Sequence, residues 1–294
     1  MFKVIYTILY ILFKSISLLP FRVIYIISDL FYLITFYGIG YRKRVVLENL
    51  KLAFPDYDPS HRKRIAKDFY KHFCDIFLEM IKLLSISESE VLKRFKIKNP
   101  DIIKTIEAEN KSIIFLYAHY ASFEYSAAFT LYKPDFKGYG VYKRIRNKAV
   151  DQLMKKIRSR FGVEMIDKND VPKIMMKNQA NHQKAIYGMI ADQSPKADNI
   201  KHWTTFLGVE TPVFVGAEVL AKRLDLSVCY MKIEKSKRGF YDVELIPITT
   251  KANKLNNYEI TDIYFKHLEQ QILKKPAYYF WSHKRWKHKR HNFK

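Results

Sequence analysis

Cysteine and negative charge are both scarce in this sequence. Its 294 residues hold two cysteines, Cys74 and Cys229, far apart and in no spacing that suits a metal. That argues against a disulfide framework and for reduced core thiols in a cytosol-facing domain. Aspartate and glutamate total 29 against 52 lysines and arginines, a formal net charge of +23. The partner is therefore anionic: nucleic acid, anionic lipid or an acidic protein. There is no internal repeat, no low-complexity linker and no zinc motif among the nine histidines, so no metal site is expected. Hydrophobic residues are plentiful instead, at 48% with 15% aromatic, enough for a sizeable core and against disorder.

Charge is nearly missing from the amino end, where Lys3, Lys14, Arg22 and Asp29 are the only charged side chains before Tyr41. No small-residue cleavage site follows, which argues against a secretory signal. Nor is there an uninterrupted run of about 20 apolar residues, because Lys14, Pro20, Arg22 and Asp29 divide it. Two membrane readings fit: one tilted spanning helix with snorkelling lysines, or a helical hairpin lying in one leaflet. A buried pair of soluble helices is the plain alternative. The cluster Tyr41-Arg42-Lys43-Arg44 is expected on the cytoplasmic side. Residues 1–41 thus read as a membrane anchor and 42–294 as one domain.

From Val45 the pattern predicts two amphipathic helices around a turn at 55–58, with Asp58 or Ser60 capping the second. Its apolar stripe runs through Ile65, Phe69, Phe73, Ile76, Phe77 and Ile81. "KSIIFLYAH" fits a buried parallel strand, followed by a helix from about Ser122 to Tyr132. "FKGYGVY" and "KAIYGMIADQS" read as further strands, and "LSVCYMKIE" with "FYDVELIPI" as a pair. Helices fit 148–162, 169–181, 212–224 and 261–273. This alternation implies an α/β fold, a mixed central sheet with helices on both faces.

His119 and Glu124 interrupt the apolar stretch 112–129 just past a strand's carboxyl end, where open α/β sheets place ligands. On a continuous helix a separation of five would turn the two side chains about 140° apart. Contact therefore requires a turn at His119 and a helix starting near Ser122. Glu124 would then orient one ring nitrogen and leave the other as a base. The bland alternative is a core histidine bonded to a carbonyl, with Glu124 solvated. Lys143, Arg144, Arg146, Arg158 and Arg160 follow other apolar segments and are expected to make the same sheet edge positive. An apolar floor with convergent cations suits a phosphorylated amphiphile.

These blocks resemble the lipid A biosynthesis acyltransferases, the lauroyl/myristoyl transferases within the wider His-x4-acid group. The resemblance runs from "YRKRVVLENLKLAFPDYD" through "AHYASFE", "VYKRIRNK", "IRSRFG", "ADQS" and "FLGVETPVFVGAEVLAKR" to "YYFWSHKRWK". It implies a glycerolipid-acyltransferase-like fold and a catalytic dyad of His119 and Glu124. Asn147, Arg158, Asp192 and Gln193 match the family pattern directly and are implied substrate-binding residues, with Lys143, Arg144 and Arg160. Lys143 stands where Arg is usual and Arg144 where Pro is common, which keeps charge but loses bidentate geometry. Further implications are an acyl carrier protein thioester as donor, a hydroxyl of a lipid A precursor as acceptor, and no cofactor. The implied place is the bacterial inner membrane, with the domain on its cytoplasmic side.

Two rivals stay in view. An acyltransferase acting on a lysophospholipid, aminolipid or other glycolipid is the closer one. The glycerolipid branch, however, usually carries Asp in the dyad and an "FPEGT"-like block that this chain lacks. A basic nucleic-acid-binding protein is the other, disfavoured by the apolar amino end and the absence of a recognition motif. The closing "HKRWKHKRHNFK" reads as a solvated basic tail or an anchor on an anionic surface.

Overall fold

The computed structural model describes residues 2–290. The chain opens with two helices, α1 (Phe2–Leu18) and α2 (Phe21–Leu33), separated at Pro20, whose backbone is extended (φ −58°, ψ 148°). A short π-helical turn, Ile34–Ile39, continues α2 and stops at Gly40, whose φ of 64° favours glycine. Next come α3 (Lys43–Ala53), α4 (Pro59–Lys82) and α5 (Glu88–Arg94). Asp58 caps α4 by accepting from the N–H groups of Ser60 and His61, at 2.8 and 2.9 Å, and Pro59 fills the first helical position.

The rest alternates: β1 (Phe95–Ile97), α6 (Asp101–Glu107), β2 (Ile113–Tyr117), β3 (Lys137–Tyr142), α7 (Lys148–Arg158), β4 (Glu164–Asp167), α8 (Val171–Ala180) and β5 (Ala185–Ile190). Then follow β6 (His202–Phe206), β7 (Val209–Val213), α9 (Gly216–Arg223), β8 (Ser227–Lys237), β9 (Phe240–Thr249) and α10 (Glu259–Lys274). Seven strands form one sheet in the order β1-β9-β8-β2-β5-β3-β4. The run β8-β2-β5-β3-β4 is parallel; β9 is antiparallel to β8, and β1 is parallel to β9. This is the mixed α/β sheet with flanking helices that the alternation implied. Every residue of β2 is buried, as a central parallel strand requires. The short strands β1 and β4 and the separate antiparallel hairpin β6–β7 were not anticipated. Three or four residues are too few to establish a period, and "HWTTF" and "VETPV" mix polar and apolar positions without one.

Two expectations about local structure are corrected. The segment after β2 is a 3₁₀ helix, Phe123–Tyr132, and the Ser122 side chain caps nothing. The stretch 212–224 is not one helix, because β7 occupies its start and α9 begins at Gly216. Cys74 and Cys229 are free and buried, and burial raises the Cys74 thiol to about 11.

The amino-terminal hairpin joins the main core. Ile24, Ser28, Tyr32 and Phe36 recur every four residues and are buried, and three of them belong to the core continuous with α4. Polar contacts fasten the same side: the Tyr25 hydroxyl donates to Glu79 at 3.0 Å and Ser28 to Asp75 at 2.8 Å. Lys82 donates to the carbonyls of Ser17 and Leu19 at 2.7 and 2.8 Å. The opposite stripe, Val23, Ile26, Leu30, Leu33, Ile34 and Tyr37, is exposed, as are Val4, Ile8, Ile11 and Leu12 of α1. The run Phe21–Ile39, 19 residues long, is the one helix among the described residues long and apolar enough to cross a membrane. This apolar amino-terminal helix is a candidate for membrane association.

Candidate active site

The sheet register builds the site. In the parallel pair of β2 and β5, Tyr117 stands opposite Ile190. Two residues further along each strand come His119 and Asp192, which therefore emerge side by side at the carboxyl edge. His119 Nδ1 lies 2.8 Å from Asp192 Oδ1, and the His119 backbone N–H donates to the same oxygen at 3.2 Å. An ionised carboxylate only accepts, so Nδ1 carries the proton and Nε2 presents a lone pair. Gln193 Nε2 stands 3.5 Å from that nitrogen. The imidazole is 20% exposed and the carboxylate 3%, so the base faces the opening and its partner is enclosed.

Burial disfavours the charge on Asp192, yet the adjoining His119, its two hydrogen bonds and Arg285 together hold the carboxyl below its ordinary range. Phe123 and Phe280 flank the imidazole, with centroids at 4.9 and 5.6 Å. Phe73 continues this half-buried aromatic wall, 5.7 Å from Phe280, and Tyr41 stacks on Phe73 at 6.0 Å. An apolar surface thus leads from the end of the hairpin to the ring.

Glu124 does not orient His119, contrary to the expected dyad geometry. Its carboxylate accepts from Arg158 Nε at 2.8 Å and Nη2 at 2.6 Å, a bidentate pair. The physical reason lies in the backbone. Ala121 takes a left-handed φ of 50°, and the 3₁₀ helix turns three residues per turn where an α-helix takes 3.6. Burial opposes the charge of Arg158, but Glu124 outweighs it and raises the guanidinium above its ordinary value. The pair ties the loop after β2 to the last turn of α7.

The other expected site residues divide. Lys143, Arg144 and Arg146 are exposed just past β3, at the same carboxyl edge. The Arg144 backbone N–H donates to Asp167 at 2.9 Å, and its guanidinium lies 3.9 Å from Asp170. Asn147 serves as the cap of α7, accepting from the N–H groups of Ala149 and Val150 at 3.0 and 3.2 Å. α7 runs back from the carboxyl edge, as the helix of a parallel crossover must. Its last turn therefore carries Arg158 away from Lys143, and Arg160 donates to the Leu83 carbonyl at 2.5 Å. Arg158, half-buried, and Arg160, exposed but turned to Leu83, therefore do not join Lys143, Arg144 and Arg146.

The carboxyl-terminal segment holds residues that composition hid. Trp281 and Arg285 are each 1% exposed. The Ser194 N–H donates to His283 Nε2 at 3.1 Å, and burial lowers that imidazole to about 4, so it stays a neutral acceptor. Arg285 donates to Ser194 Oγ at 3.1 Å and to the Pro212 carbonyl at 2.8 Å. The start of the basic tail is therefore folded into the wall behind Asp192, whereas its end, residues 291–294 with His291, lies outside the described residues. Among the described residues no group of three or more His, Cys, Asp or Glu is placed to hold a metal. A cleft of about 920 Å³ beside α2 and α4 is lined by none of the expected site residues.

Comparison with known proteins identifies the family. Residues 2–288 match the model of the bacterial lipid A biosynthesis acyltransferases. The chain is 21% identical over 249 residues to a lipid A biosynthesis lauroyltransferase of Escherichia coli K12, covering 84% of this chain and 79% of that one. It is 23% identical over 279 residues to a lipid A biosynthesis acyltransferase of Haemophilus influenzae, covering 93% and 87%. A lipid A biosynthesis palmitoleoyltransferase of E. coli K12 is 20% identical over 252 residues, covering 84% and 79%. With nearly its whole length matched, the chain belongs to the bacterial lipid A biosynthesis acyltransferase family and is an acyltransferase.

Proposed function

We propose that this enzyme moves a fatty acyl chain from an acyl carrier protein thioester to a hydroxyl of a lipid A precursor, with His119 as the base and Asp192 as its orienting carboxylate. The observation that carries the reading is the 2.8 Å contact between His119 Nδ1 and Asp192, which leaves the Nε2 lone pair on the open side of the ring with only the Gln193 amide, at 3.5 Å, beside it. A hydroxyl is a poor nucleophile until a base takes its proton, and Nε2 is the acceptor available here. As the oxygen attacks the thioester carbonyl, the proton passes to Nε2, and Asp192 stabilises the imidazolium that forms. Collapse of the tetrahedral intermediate expels the thiolate, which recovers the proton.

The Gln193 amide, beside Nε2, is the side-chain donor we assign to the developing oxyanion. Lys143, Arg144 and Arg146 offer exposed charge for acceptor phosphates or the donor's phosphopantetheine. Glu124 and Arg158 act as a positioning pair. The half-buried Phe73, Phe123 and Phe280 supply the apolar surface for the acyl chain.

The exposed apolar stripes of α1 and α2 support attachment to the bacterial inner membrane, with the domain on the cytoplasmic side. Because α2 is fastened to α4 along its buried stripe, the hairpin lies in one leaflet. Acyl transfer from acyl carrier protein to a lipid A precursor, followed by mass spectrometry of the lipid product, tests the assignment. A product unchanged in mass with folded enzyme would reject it, and acylation of a lysophospholipid in preference would move the acceptor to another lipid class.

A further inference from the structure

The cleft of about 920 Å³ lies away from the chemistry described above, between α2, α4, the turn joining β8 and β9, and the end of α10. Six cations line it: Arg64, Lys71, Lys235, Arg238, Lys274 and Lys275. Three carboxylates oppose them, and two are already matched. Asp75 accepts from Arg238 Nη2 at 2.7 Å and from Lys235 at 3.4 Å, while Asp29 takes Arg238 Nη2 at 2.6 Å. Lys274 turns to Glu234 at 3.0 Å. Arg64, Lys71 and Lys275 form no ion pair among the described residues, and Asp68 is the remaining carboxylate in the wall. The cleft thus keeps an excess of positive charge focused on a concavity.

Its position on α2 indicates what the charge is for. Tyr32 of the protein-facing stripe and Leu33 of the exposed stripe both line the cleft, so it sits at the shoulder of the helix. A helix lying in a leaflet with its apolar stripe among acyl chains brings its shoulder to headgroup level. Leu33 is 50% exposed on the rim, which joins the cleft directly to the lipid-facing surface. We propose that this cleft is a binding site for the phosphate-bearing headgroup of an anionic lipid, whose acyl chains run along the exposed stripe of α2. The lipid locks the hairpin in the leaflet and is not the reacting substrate. None of the lining residues takes part in the proposed acyl transfer, so failure of that chemistry would leave this site standing.

The test compares full-length proteins binding vesicles of phosphatidylglycerol with phosphatidylcholine against vesicles of phosphatidylcholine alone. The triple change Arg64→Gln, Lys71→Gln and Lys275→Gln removes the unpaired cations. A control with the same loss of charge, Lys173→Gln, Lys177→Gln and Lys254→Gln, touches exposed lysines that do not line the cleft. Affinity for the phosphatidylglycerol vesicles should fall roughly 10- to 100-fold in the cleft variant and far less in the control, with phosphatidylcholine binding alike in all three. Equal losses in both variants would mean general charge attraction and overturn the proposal, as would no loss in the cleft variant. Inorganic phosphate at millimolar concentration should not release the wild-type protein from phosphatidylglycerol vesicles. Release would make this a free-phosphate site and overturn the lipid assignment. Should the triple variant not fold, Lys275→Gln alone is read the same way, with a several-fold loss expected.

Discussion

His119 and Asp192, 73 residues apart in sequence, meet because the parallel register of β2 and β5 sets Tyr117 opposite Ile190. Their contact makes a direct prediction. His119→Ala should keep the fold and lose acyl transfer by about 10²–10⁴-fold in kcat. Asp192→Asn should lose activity on a similar scale, because an amide can hold the imidazole in the wrong tautomer. Turnover near wild type in a folded His119→Ala protein would reject the base.

Glu124 separates a positioning role from a chemical one. Glu124→Ala leaves Arg158, whose side chain is 24% exposed, without its bidentate partner. A loss of about 3–5 kcal/mol in unfolding free energy is expected from breaking such a pair. Replacing both members with apolar residues, Glu124→Leu with Arg158→Met, should recover most of that stability. Denaturant titration reads the effect. If Glu124→Ala were as stable as wild type but as inactive as His119→Ala, Glu124 would belong to the chemistry after all.

Arg285 supports the ionised state of Asp192 from behind. Arg285→Met removes a buried positive charge that helps hold Asp192 low, so that carboxylate should bind a proton more readily. The acid limb of the kcat/KM profile, which belongs to the coupled pair, should then move to higher pH. An acid limb that stays in place while the protein remains folded would show that Arg285 only packs.

Glu79 gives a stability signature of opposite sign to an ordinary paired carboxylate. Burial and the neighbouring Asp75 raise it to about 7 from 4.5, against the pull of Lys235 and the hydrogen bonds from Tyr241 and Tyr25. Because its folded value lies above the unfolded one, the native state holds the extra proton between them. The associated stability is complete below pH 4.5 and is lost as pH rises to about 7, on the order of 3 kcal/mol. His283, lowered to about 4, works the other way by stabilising the fold as pH rises. The wild-type curve minus that of Glu79→Gln therefore isolates the term. A flat difference between pH 4.5 and 7 would mean that Glu79 is ionised in the fold.

Much of the architecture could be read locally. Buried runs such as "SIIFLY" and "AIYGMI" announce parallel strands because every side chain of a central strand needs an apolar neighbour. Asp58 before Pro59 announces the start of α4 because an orphan N–H there needs an acceptor. Asn147, matched through the family pattern, is another such cap. Arg285 was hidden because the tail around it reads as solvated charge, and only folding shows that one of those charges is enclosed. The hairpin left two readings open, since apolar periodicity is the same whether a helix crosses a bilayer or lies along it.

By itself the sequence determined that a histidine would stand at the carboxyl end of a buried strand, with an acid at the end of another. Strand burial and chain order are written in hydrophobic pattern. Which acid faces the histidine was decided only in three dimensions. Nearness along the chain draws attention to the acid five residues away, but lateral register across a sheet is a long-range property. The left-handed turn at Ala121 sends Glu124 to Arg158, and the alignment of β2 with β5 brings Asp192 to the imidazole.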